Sequence, residues 1–367
     1  MRVQIVDPPA FTPPYDRALC AALARAGAEV ELVTSRFEYG PVARPDGYEV
    51  AELFYRRSTL RGLEAPGRRG LRLAEHVPGM RRLRIHARSA DVVHLQWLSV
   101  PDLDRFLLPK RPRAFTVHYP LPRSRRARSR QRALLERMDA VIAHSAHGAA
   151  ELRDLLGDPA RVHRIPHGAF THLTGQPDER PLPPELAAVE GPVILCFGLV
   201  RPYKGVDVLL EAFRELEGAE LWVVGMPRMD MSALRRAAER CTGTVRFVER
   251  FITDPEIPAY FRRADVVALP YREIEQSGVL YTALAFGNAI VASSVGGFTE
   301  LGERDGALRL VPPGDPQALA AALAELVGDP DARAELAAAA ARAAAGPYSW
   351  AEVGARTLEL YRRLLGG

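Results

Sequence analysis

The chain has 367 residues, of which 47% are hydrophobic and 26% are charged, and its formal net charge is +4. This length suits two domains, and the composition is that of a globular protein with enough apolar residues for two cores. No run of about 18 apolar residues occurs, so the sequence predicts no transmembrane helix. The first residues lack an apolar signal core, so we expect the protein to stay inside the cell. The three widely spaced cysteines are expected to be buried free thiols.

Short apolar runs alternate with helical patterns along the first half of the chain. The predicted strands comprise residues 3–5, 30–33, 92–95, 115–117, 141–143 and 162–165. Helical patterns lie between several of these strands, for example at residues 17–26 and 148–156. Nearly continuous apolar strands that alternate with helices favour a parallel sheet covered on both faces.

A second series of the same kind follows a polar, proline-rich segment at residues 173–191, which is typical of an interdomain linker. The strands of this series are predicted at residues 193–197, 219–224, 245–248, 266–269, 290–292 and 308–311. The helices are predicted at residues 206–216, 232–240, 256–262, 278–286, 316–327, 331–345 and 349–365. The sequence therefore predicts two α/β domains in series, residues 1–172 and 192–348.

The charge is distributed unevenly between the two predicted domains. Residues 1–190 contain 30 basic and 22 acidic residues, whereas the rest of the chain contains 19 basic and 23 acidic residues. Within residues 53–137 there are 21 basic and 6 acidic residues, a net charge of +15. No nucleic-acid recognition motif accompanies this charge, so nucleic acid is not an expected partner. An anionic membrane surface or a phosphate-bearing acceptor suits it, and a solvated arginine-rich surface is the alternative.

Open parallel α/β sheets bind ligands beyond the carboxyl ends of their strands, so the loops that follow strands are the candidate sites. The loop after residues 193–197 contains Gly198, Arg201, Lys204 and Gly205 and leads into a helix. Glycines, a helix N-terminus and two cations together suit a diphosphate and the charge that develops on it as a leaving group. The first strand is not followed by the Gly-x-Gly-x-x-Gly motif, which disfavours a dinucleotide-binding dehydrogenase.

Two further polar loops follow strands of the second domain. Residues 270–278 include Glu275, Gln276 and Ser277, whose carboxylate, amide and hydroxyl groups suit hydrogen bonds to a sugar. Residues 294–300 include a Gly-Gly turn whose backbone N–H groups could face a phosphate or a base. Because the carboxyl ends of parallel strands share one edge of the sheet, we expect the three loops to converge.

The segment FGLVRPYKGVDVLLEAF at residues 197–213 looks like the donor-phosphate motif of the family 4 retaining glycosyltransferases. Residues 275–300 resemble the second signature of that family. The first domain agrees more loosely, through histidines that occupy the expected order: His94, His118, His144 and His167. The resemblance covers nearly the whole chain and implies the GT-B fold class, two Rossmann-like β/α/β domains that face a central cleft. It also implies that residues 349–367 cross back onto the first domain.

The resemblance assigns roles to individual residues by their position. Arg201 and Lys204 would hold the donor diphosphate and stabilise it as the leaving group. Glu275 would hydrogen-bond the transferred sugar, and His118 would contact that sugar near the reacting centre. Arg228 would reach the base side of the pocket. The remaining donor contacts would come from Gly198, Gln276, Ser277, Gly278 and Val279.

These roles imply an enzyme that moves a hexose from a UDP- or GDP-linked sugar to an acceptor with retention of anomeric configuration. The acceptor class stays open between a glycan, a lipid-linked molecule and a small molecule. No first-domain carboxylate stands out as a base or nucleophile, and none is needed when the departing phosphate takes the acceptor proton. The resemblance implies no cofactor and no metal, because Arg and Lys neutralise the leaving group. We expect a cytoplasmic enzyme, peripheral to the membrane if residues 53–137 bind lipid.

The chain departs from the family pattern in two places. The second Glu of the family's usual pair is absent, since the corresponding position is Ala283 or Thr282 and the segment is one residue shorter. Ribose recognition is therefore open, and a catalytically degenerate sugar-nucleotide-binding protein is the alternative function. The loop after the first strand, residues 7–15, is proline-rich where many relatives have Gly-Gly. A metal site is disfavoured, because the four histidines lack the spacing of metal ligands.

Overall fold

The computed structural model describes residues 1–40, 42–60 and 66–366. Its strands form two β-sheets, and every strand pair in them is parallel. Helices connect most of these strands. The predicted fold class, two Rossmann-like α/β domains, is confirmed. No helix in the described ranges is long and apolar enough to cross a membrane.

The chain divides into two compact units that each contain one of the sheets. Unit 1 comprises residues 1–168 and 350–367, and unit 2 comprises residues 169–349. The residues predicted as a linker, 173–191, therefore lie within unit 2, where they include a short helix. Most residues of this segment are exposed, as its polar, proline-rich composition suggests.

Unit 1 contains a seven-stranded sheet with the strand order β3-β2-β1-β4-β5-β6-β7. Its strands are β1 (Arg2–Asp7), β2 (Glu29–Thr34), β3 (Glu49–Glu52), β4 (Val92–Leu95), β5 (Arg113–Thr116), β6 (Ala140–Ala143) and β7 (Val162–Arg164). Its first five helices are α1 (Pro13–Arg25), α2 (Arg68–His86), α3 (Pro101–Leu107), α4 (Arg125–Leu135) and α5 (Ala146–Leu156).

Unit 2 contains a six-stranded sheet with the strand order β10-β9-β8-β11-β12-β13. Its strands are β8 (Val193–Phe197), β9 (Glu220–Val224), β10 (Val245–Val248), β11 (Val266–Leu269), β12 (Ala289–Ser293) and β13 (Arg309–Val311). Its helices are α6 (Pro184–Ala187), α7 (Val206–Phe213), α8 (Ser232–Ala238), α9 (Ile257–Arg263), α10 (Gly278–Phe286), α11 (Gly297–Asp305), α12 (Pro316–Gly328) and α13 (Pro330–Ala345).

The last helix, α14 (Trp350–Leu364), belongs to unit 1 and packs against α1. Gly354 permits the close approach, because a Cβ at this position would lie 3.0 Å from the Cβ and the carbonyl oxygen of Ala22. Farther along α14, the buried Tyr361 hydroxyl lies 2.6 Å from Nδ1 of His94, the third residue of β4. The C-terminal helix is thus an integral part of the unit 1 core.

Several elements are missing from the sequence-based prediction, and each has a weak pattern. β3 is four residues long and only half-buried, so it lacks the apolar run of a central strand. α2 contains Pro78 and has few buried positions, so its apolar stripe is weak. Part of the predicted Gly-Gly loop, residues 294–300, is the beginning of α11.

The strand order reverses beside the first strand of each sheet. In unit 1 the chain adds β2 and β3 on one side of β1 and β4 on the other. In unit 2 it adds β9 and β10 on one side of β8 and β11 on the other. Ligands of open α/β proteins bind at such switch points, where the loops after two neighbouring strands diverge. The loops after β1 and β4, and those after β8 and β11, are therefore the places to examine.

Candidate active site

A buried lysine lies at the switch point of unit 2. Lys204 ends a short 3₁₀ turn between β8 and α7, and only 5% of the residue is exposed. Its Nζ donates a hydrogen bond to the carbonyl oxygen of Phe197 at 3.0 Å and lies 5.1 Å from the centroid of the Tyr271 ring. Burial lowers the pKa of Lys204. No carboxylate of the described residues forms an ion pair with this ammonium group, so an anionic ligand would relieve an unfavourable buried charge.

Gly198 makes room for this lysine. Its φ is 96°, and a Cβ at this position would lie 2.8 Å from Lys204 Nζ and 3.0 Å from a methyl carbon of Val279. Any larger residue would displace the ammonium group from its position. Because Val279 belongs to the first turn of α10, this contact joins the loop after β8 to the loop after β11, as predicted from the sheet. Gly198, Lys204 and Val279 therefore lie together.

Two exposed arginines follow neighbouring strands. Arg201 precedes the 3₁₀ turn, and no described residue forms a hydrogen bond or ion pair with its guanidinium group. Arg228 follows β9, and its backbone N–H donates to the carbonyl oxygen of Val200 at 2.9 Å. A bridge between Val200 and Pro227 adds to this connection. The loops after β8 and β9 are thus joined, and both arginine side chains are available to an anion.

The segment Glu275 to Ser277 is buried although it lies in a loop, with 6–9% of each residue exposed. The Tyr281 hydroxyl donates to Oε1 of Gln276 at 2.5 Å, and the Tyr271 hydroxyl lies 3.3 Å from Oγ of Ser277. The Nε2 of Gln276 has no hydrogen-bond partner among the described residues. A Cβ at Gly297 would lie 2.3 Å from this nitrogen, so the buried amide packs against Gly297. Gly278, which follows, is exposed.

The Gly-Gly turn has a different role from the one predicted. The backbone N–H of Gly297 donates to the carbonyl oxygen of Glu275 at 3.1 Å, so it is not available to a phosphate or a base. A Cβ at Gly296, whose φ is 48°, would lie 2.0 Å from the carbonyl oxygen of Ile274. The two glycines let the loop after β12 pack closely against the loop after β11. Their contribution is to hold Glu275 and its neighbours in place.

Thr282 and Ala283 of α10 occupy the position of the missing second Glu. Ala283 is fully buried, and the Thr282 hydroxyl donates to the carbonyl oxygen of Gly278 at 2.9 Å within α10. Neither side chain presents a free polar group to a ligand. A ribose must therefore be bound by other groups than those of α10 at these two positions.

In unit 1 the predicted histidines form a row that follows the strand order. His94 lies in β4, while His118, His144 and His167 follow β5, β6 and β7. His118 Nδ1 lies 3.3 Å from His144 Nε2, and His144 Nδ1 lies 2.9 Å from the carbonyl oxygen of Ile165. No group of three or more His, Cys, Asp or Glu residues arranged to hold a metal ion occurs within the described part of the chain.

The hydrogen bonds determine the protonation of this row. Since a carbonyl oxygen only accepts, His144 carries its proton on Nδ1 and accepts from His118 at Nε2. The Nε2 of His118 is then unprotonated. It lies 2.8 Å from the atom placed as Oε1 of the Gln96 amide. The amide nitrogen of Gln96 has no other partner among the described residues. The hydrogen bonds are therefore all satisfied when the Gln96 amide is flipped, so that its NH₂ group donates to His118 Nε2. Both nitrogens of His118 are thereby engaged.

These hydrogen bonds limit which atoms of His118 can contact a ligand. The residue is partly exposed, but neither ring nitrogen is free to bond to a ligand. Burial, with smaller effects of the neighbouring histidines, lowers the pKa of His118 well below its ordinary value. Burial also lowers the pKa of His144 to about 4 and that of His94 to about 3. The row is therefore neutral at pH 7.

The fold is that of known glycosyl-transferring enzymes. It is similar to sucrose-phosphate synthase from Thermosynechococcus elongatus, with a TM-score of 0.77 and 21% identity over 100% of this chain and 99% of that chain. HepE from Anabaena, in complex with UDP-glucose, gives a TM-score of 0.72 and 19% identity over 99% of this chain and 100% of that chain. At these identities the similarity establishes the fold alone, and it confirms the predicted GT-B type.

Family models and a relative of similar length define the family. Residues 17–172 match the model described as Glycosyltransferase Family 4, and residues 191–329 match that described as Glycosyl transferases group 1. A D-inositol 3-phosphate glycosyltransferase from Kineococcus radiotolerans is 30% identical, over 95% of this chain and 89% of the relative. The chain therefore belongs to the family 4 glycosyltransferases, as its motifs predict.

The neutral histidine row predicts a dependence of stability on pH. A histidine whose pKa is lowered by folding contributes stability that is complete above its unfolded pKa of about 6.5 and is lost as the pH falls toward the folded pKa. For His144 this loss is up to about 1.4 kcal/mol of unfolding free energy per pH unit between pH 6.5 and 4. His144→Asn retains a donor for the Ile165 carbonyl but removes the titrating group.

We therefore expect the wild-type unfolding free energy to fall more steeply than that of His144→Asn between pH 7 and 5. Guanidinium unfolding at several pH values, followed by tryptophan fluorescence, measures both slopes. Titrating groups outside the histidine row, including the buried carboxyls of Asp7 and Asp16, are common to the two proteins. Equal slopes would show that His144 does not titrate in this way.

Proposed function

We propose that this glycosyltransferase transfers a hexose from a UDP- or GDP-linked sugar to an acceptor hydroxyl, with retention of configuration and without a metal ion. The observation that supports this most directly is the ammonium group of Lys204, buried at the switch point of unit 2 without a carboxylate partner among the described residues. A diphosphate supplies the missing anion. Arg201 and Arg228 supply further cations on neighbouring loops.

The chemistry follows from the charges at this site. The bond between the sugar C1 and the diphosphate oxygen breaks, and the acceptor oxygen forms a new bond to C1 on the same face. The acceptor proton passes to the departing diphosphate, so the products are a glycoside and a nucleoside diphosphate. Lys204 and Arg201 stabilise the charge that grows on the leaving oxygen, which is the role that a divalent cation fills elsewhere. NMR of the product reads the anomeric configuration directly.

Gln276 and Glu275 bind the donor in this proposal. The Glu275 carboxylate accepts hydrogen bonds from sugar hydroxyls, and the buried amide of Gln276, which has no partner for its Nε2 among the described residues, turns toward a donor oxygen on binding. The side chains of Thr282 and Ala283 cannot take the place of the family's second Glu. A non-catalytic sugar-nucleotide-binding protein is the alternative that this absence favours. Slow release of nucleoside diphosphate from the donor in the absence of acceptor separates the two functions.

The acceptor is proposed to carry a phosphate. The relative from Kineococcus radiotolerans is a D-inositol 3-phosphate glycosyltransferase, and the net charge of +15 within residues 53–137 lies in unit 1. The same surface would attract an anionic bilayer. α2 exposes 58% of Leu73 and 61% of Ile85 beside its arginines, and apolar side chains among cations are typical of a helix that binds a lipid surface.

The phosphate role of Lys204 predicts opposite effects on stability and on turnover. Lys204→Met removes a buried charge without an ionic partner, so the ligand-free protein should be at least as stable as the wild type. The same change should lower turnover by on the order of 10²–10³-fold, because one fixed cation at the leaving group is lost. It should also abolish the stabilisation by UDP or GDP, which is about 2.7 kcal/mol at 100 times the dissociation constant.

Thermal unfolding with and without each nucleotide, together with nucleoside diphosphate release, measures these effects. Lys110→Met is the matched control, because Lys110 is the other lysine of the sequence and is exposed. It should behave like the wild type in solution. Near-normal turnover of Lys204→Met would contradict the proposal.

The basic surface predicts salt-dependent binding to lipid. Each arginine near an anionic bilayer contributes about 1 kcal/mol, so acidic vesicles should bind the protein strongly at low salt. Binding should weaken as the Debye length falls from about 30 Å at 0.01 M to about 8 Å at 0.15 M. A quadruple change to Gln around the start of α4 should reduce vesicle binding; the residues are Arg123, Arg125, Arg126 and Arg128.

A control variant removes four positive charges from exposed positions of unit 2 by the same change to Gln. The residues are Arg236, Arg240, Arg309 and Arg342. Vesicle sedimentation compares the two quadruple variants with the wild type. The unit 2 variant should bind acidic vesicles as the wild type does. Equally poor binding of acidic and neutral vesicles at low salt would show that the basic surface is merely solvated.

A further inference from the structure

An exposed stack of aromatic rings stands at the switch point of unit 1. Phe11 follows β1 and Trp97 follows β4, and their ring centroids lie 5.1 Å apart in a stacked arrangement. Trp97 also stacks on Tyr119, which follows β5, with centroids 5.5 Å apart. These three residues, which we call the aromatic platform, come from the loops after three neighbouring strands.

Phe11 is exposed although its loop is rigidly held. Phe11 is 65% exposed, whereas most large apolar residues of the chain are buried. The buried carboxylate of Asp7 accepts hydrogen bonds from the backbone N–H groups of Phe11 at 2.6 Å and Thr12 at 3.1 Å. The indole N–H of Trp97 donates to the Thr12 hydroxyl at 2.9 Å. The loop and the second ring of the platform are thus locked together.

The same loop contains an unfavourable backbone conformation. Ala10 has a φ of 52°, in the left-handed region that residues with a Cβ rarely adopt. Such a conformation costs on the order of 1–3 kcal/mol and persists where the surrounding contacts impose it, often at a binding site. Here its effect is to place the Phe11 ring outside the core. A phenyl ring held in water by a strained loop indicates a ligand that covers it.

Polar groups around the platform define the kind of ligand. Tyr119 carries a hydroxyl group and is partly exposed. The guanidinium group of Arg72 donates to the carbonyl oxygen of Pro9 at 3.3 Å, which places a cation beside the loop. The exposed Phe11 ring at the end of the stack, with hydrogen-bonding groups nearby, suits a ring that has a C–H face and polar substituents. A purely apolar chain would leave these polar groups without partners.

We propose that the aromatic platform binds a polyhydroxylated six-membered ring, a sugar or a cyclitol, through the C–H face of that ring. The diphosphate-binding cations belong to unit 2, so this second ring site is assigned to the acceptor. That assignment rests on the proposed function, whereas the binding of a ring to the exposed Phe11 end of the platform does not. The Tyr119 hydroxyl and Arg72 then contact the hydroxyl or phosphate substituents.

Tryptophan fluorescence tests the platform directly. Trp97 is the most exposed of the three tryptophans, since Trp222 is fully buried and Trp350 is 6% exposed. Titration of the full chain with myo-inositol and with methyl α-D-glucopyranoside should give a saturable change in emission for at least one ring. A response to one probe alone identifies the ring as a cyclitol or as a sugar. Trp97→Phe should remove the response.

Phe11→Ala should raise the dissociation constant of the responding probe between about twofold and tenfold, the range expected for one aromatic contact. Phe11→Tyr, which retains the aromatic face, should restore binding. Phe106→Ala is the matched control, because Phe106 lies in α3, is 59% exposed and has Arg105 rather than Trp97 beside its ring. It should leave the dissociation constant unchanged.

The outcomes separate this inference from the proposed function. No saturable response to either probe, or an equal dissociation constant for the wild type and Phe11→Ala, would overturn the platform even if UDP or GDP stabilises the protein. Absence of nucleotide binding would overturn the proposed function, while a Phe11-dependent response would still establish the ring site. With both results positive, the platform is the acceptor subsite if Phe11→Ala raises the acceptor KM more than it changes donor hydrolysis.

Discussion

The placement of one positive charge organises unit 2. Lys204 is buried beside the Phe197 carbonyl and the Tyr271 ring, and no described carboxylate neutralises it. A buried, unpaired ammonium group weakens the ligand-free fold, so its presence is best explained by an anion that pairs with it. Gly198 makes the space that the ammonium group occupies, and the contact of Gly198 with Val279 joins two of the loops. The loops proposed to bind the donor therefore lie around this charge.

The two units have the same kind of topological switch point but carry different chemical groups there. In each sheet the strand order reverses beside the first strand, and the loops on the two sides of that point carry the candidate binding groups. In unit 2 these loops carry cations that suit a diphosphate, next to the buried side chains of Glu275 and Gln276. In unit 1 they present aromatic rings, of which Phe11 is held outside the core by a strained loop. In the proposed reaction, the charges of unit 2 stabilise the leaving group and the aromatic rings of unit 1 position the acceptor ring.

Local sequence signals predicted the strands around the site and the convergence of the loops that follow them, because a buried parallel strand and a glycine-rich loop have recognisable patterns. The signals failed where the outcome depends on residues distant in sequence. The Gly-Gly turn was expected to face a ligand, but the N–H of Gly297 bonds to Glu275 in another loop. The bond between His118 and His144 depends on the adjacency of β5 and β6. The stacking of Phe11 on Trp97 likewise depends on β4 lying beside β1, which no local pattern encodes.

The central claim is that protein cations, rather than a metal ion, stabilise the departing diphosphate. The most direct measurement is the release of nucleoside diphosphate from a panel of UDP- and GDP-hexoses by the wild-type protein in the presence of excess EDTA. Because the charge at the leaving oxygen is assigned to Lys204 and Arg201, we expect the rate with the preferred donor to be the same with and without the chelator. Loss of release in EDTA, with recovery on addition of magnesium or manganese, would contradict the claim.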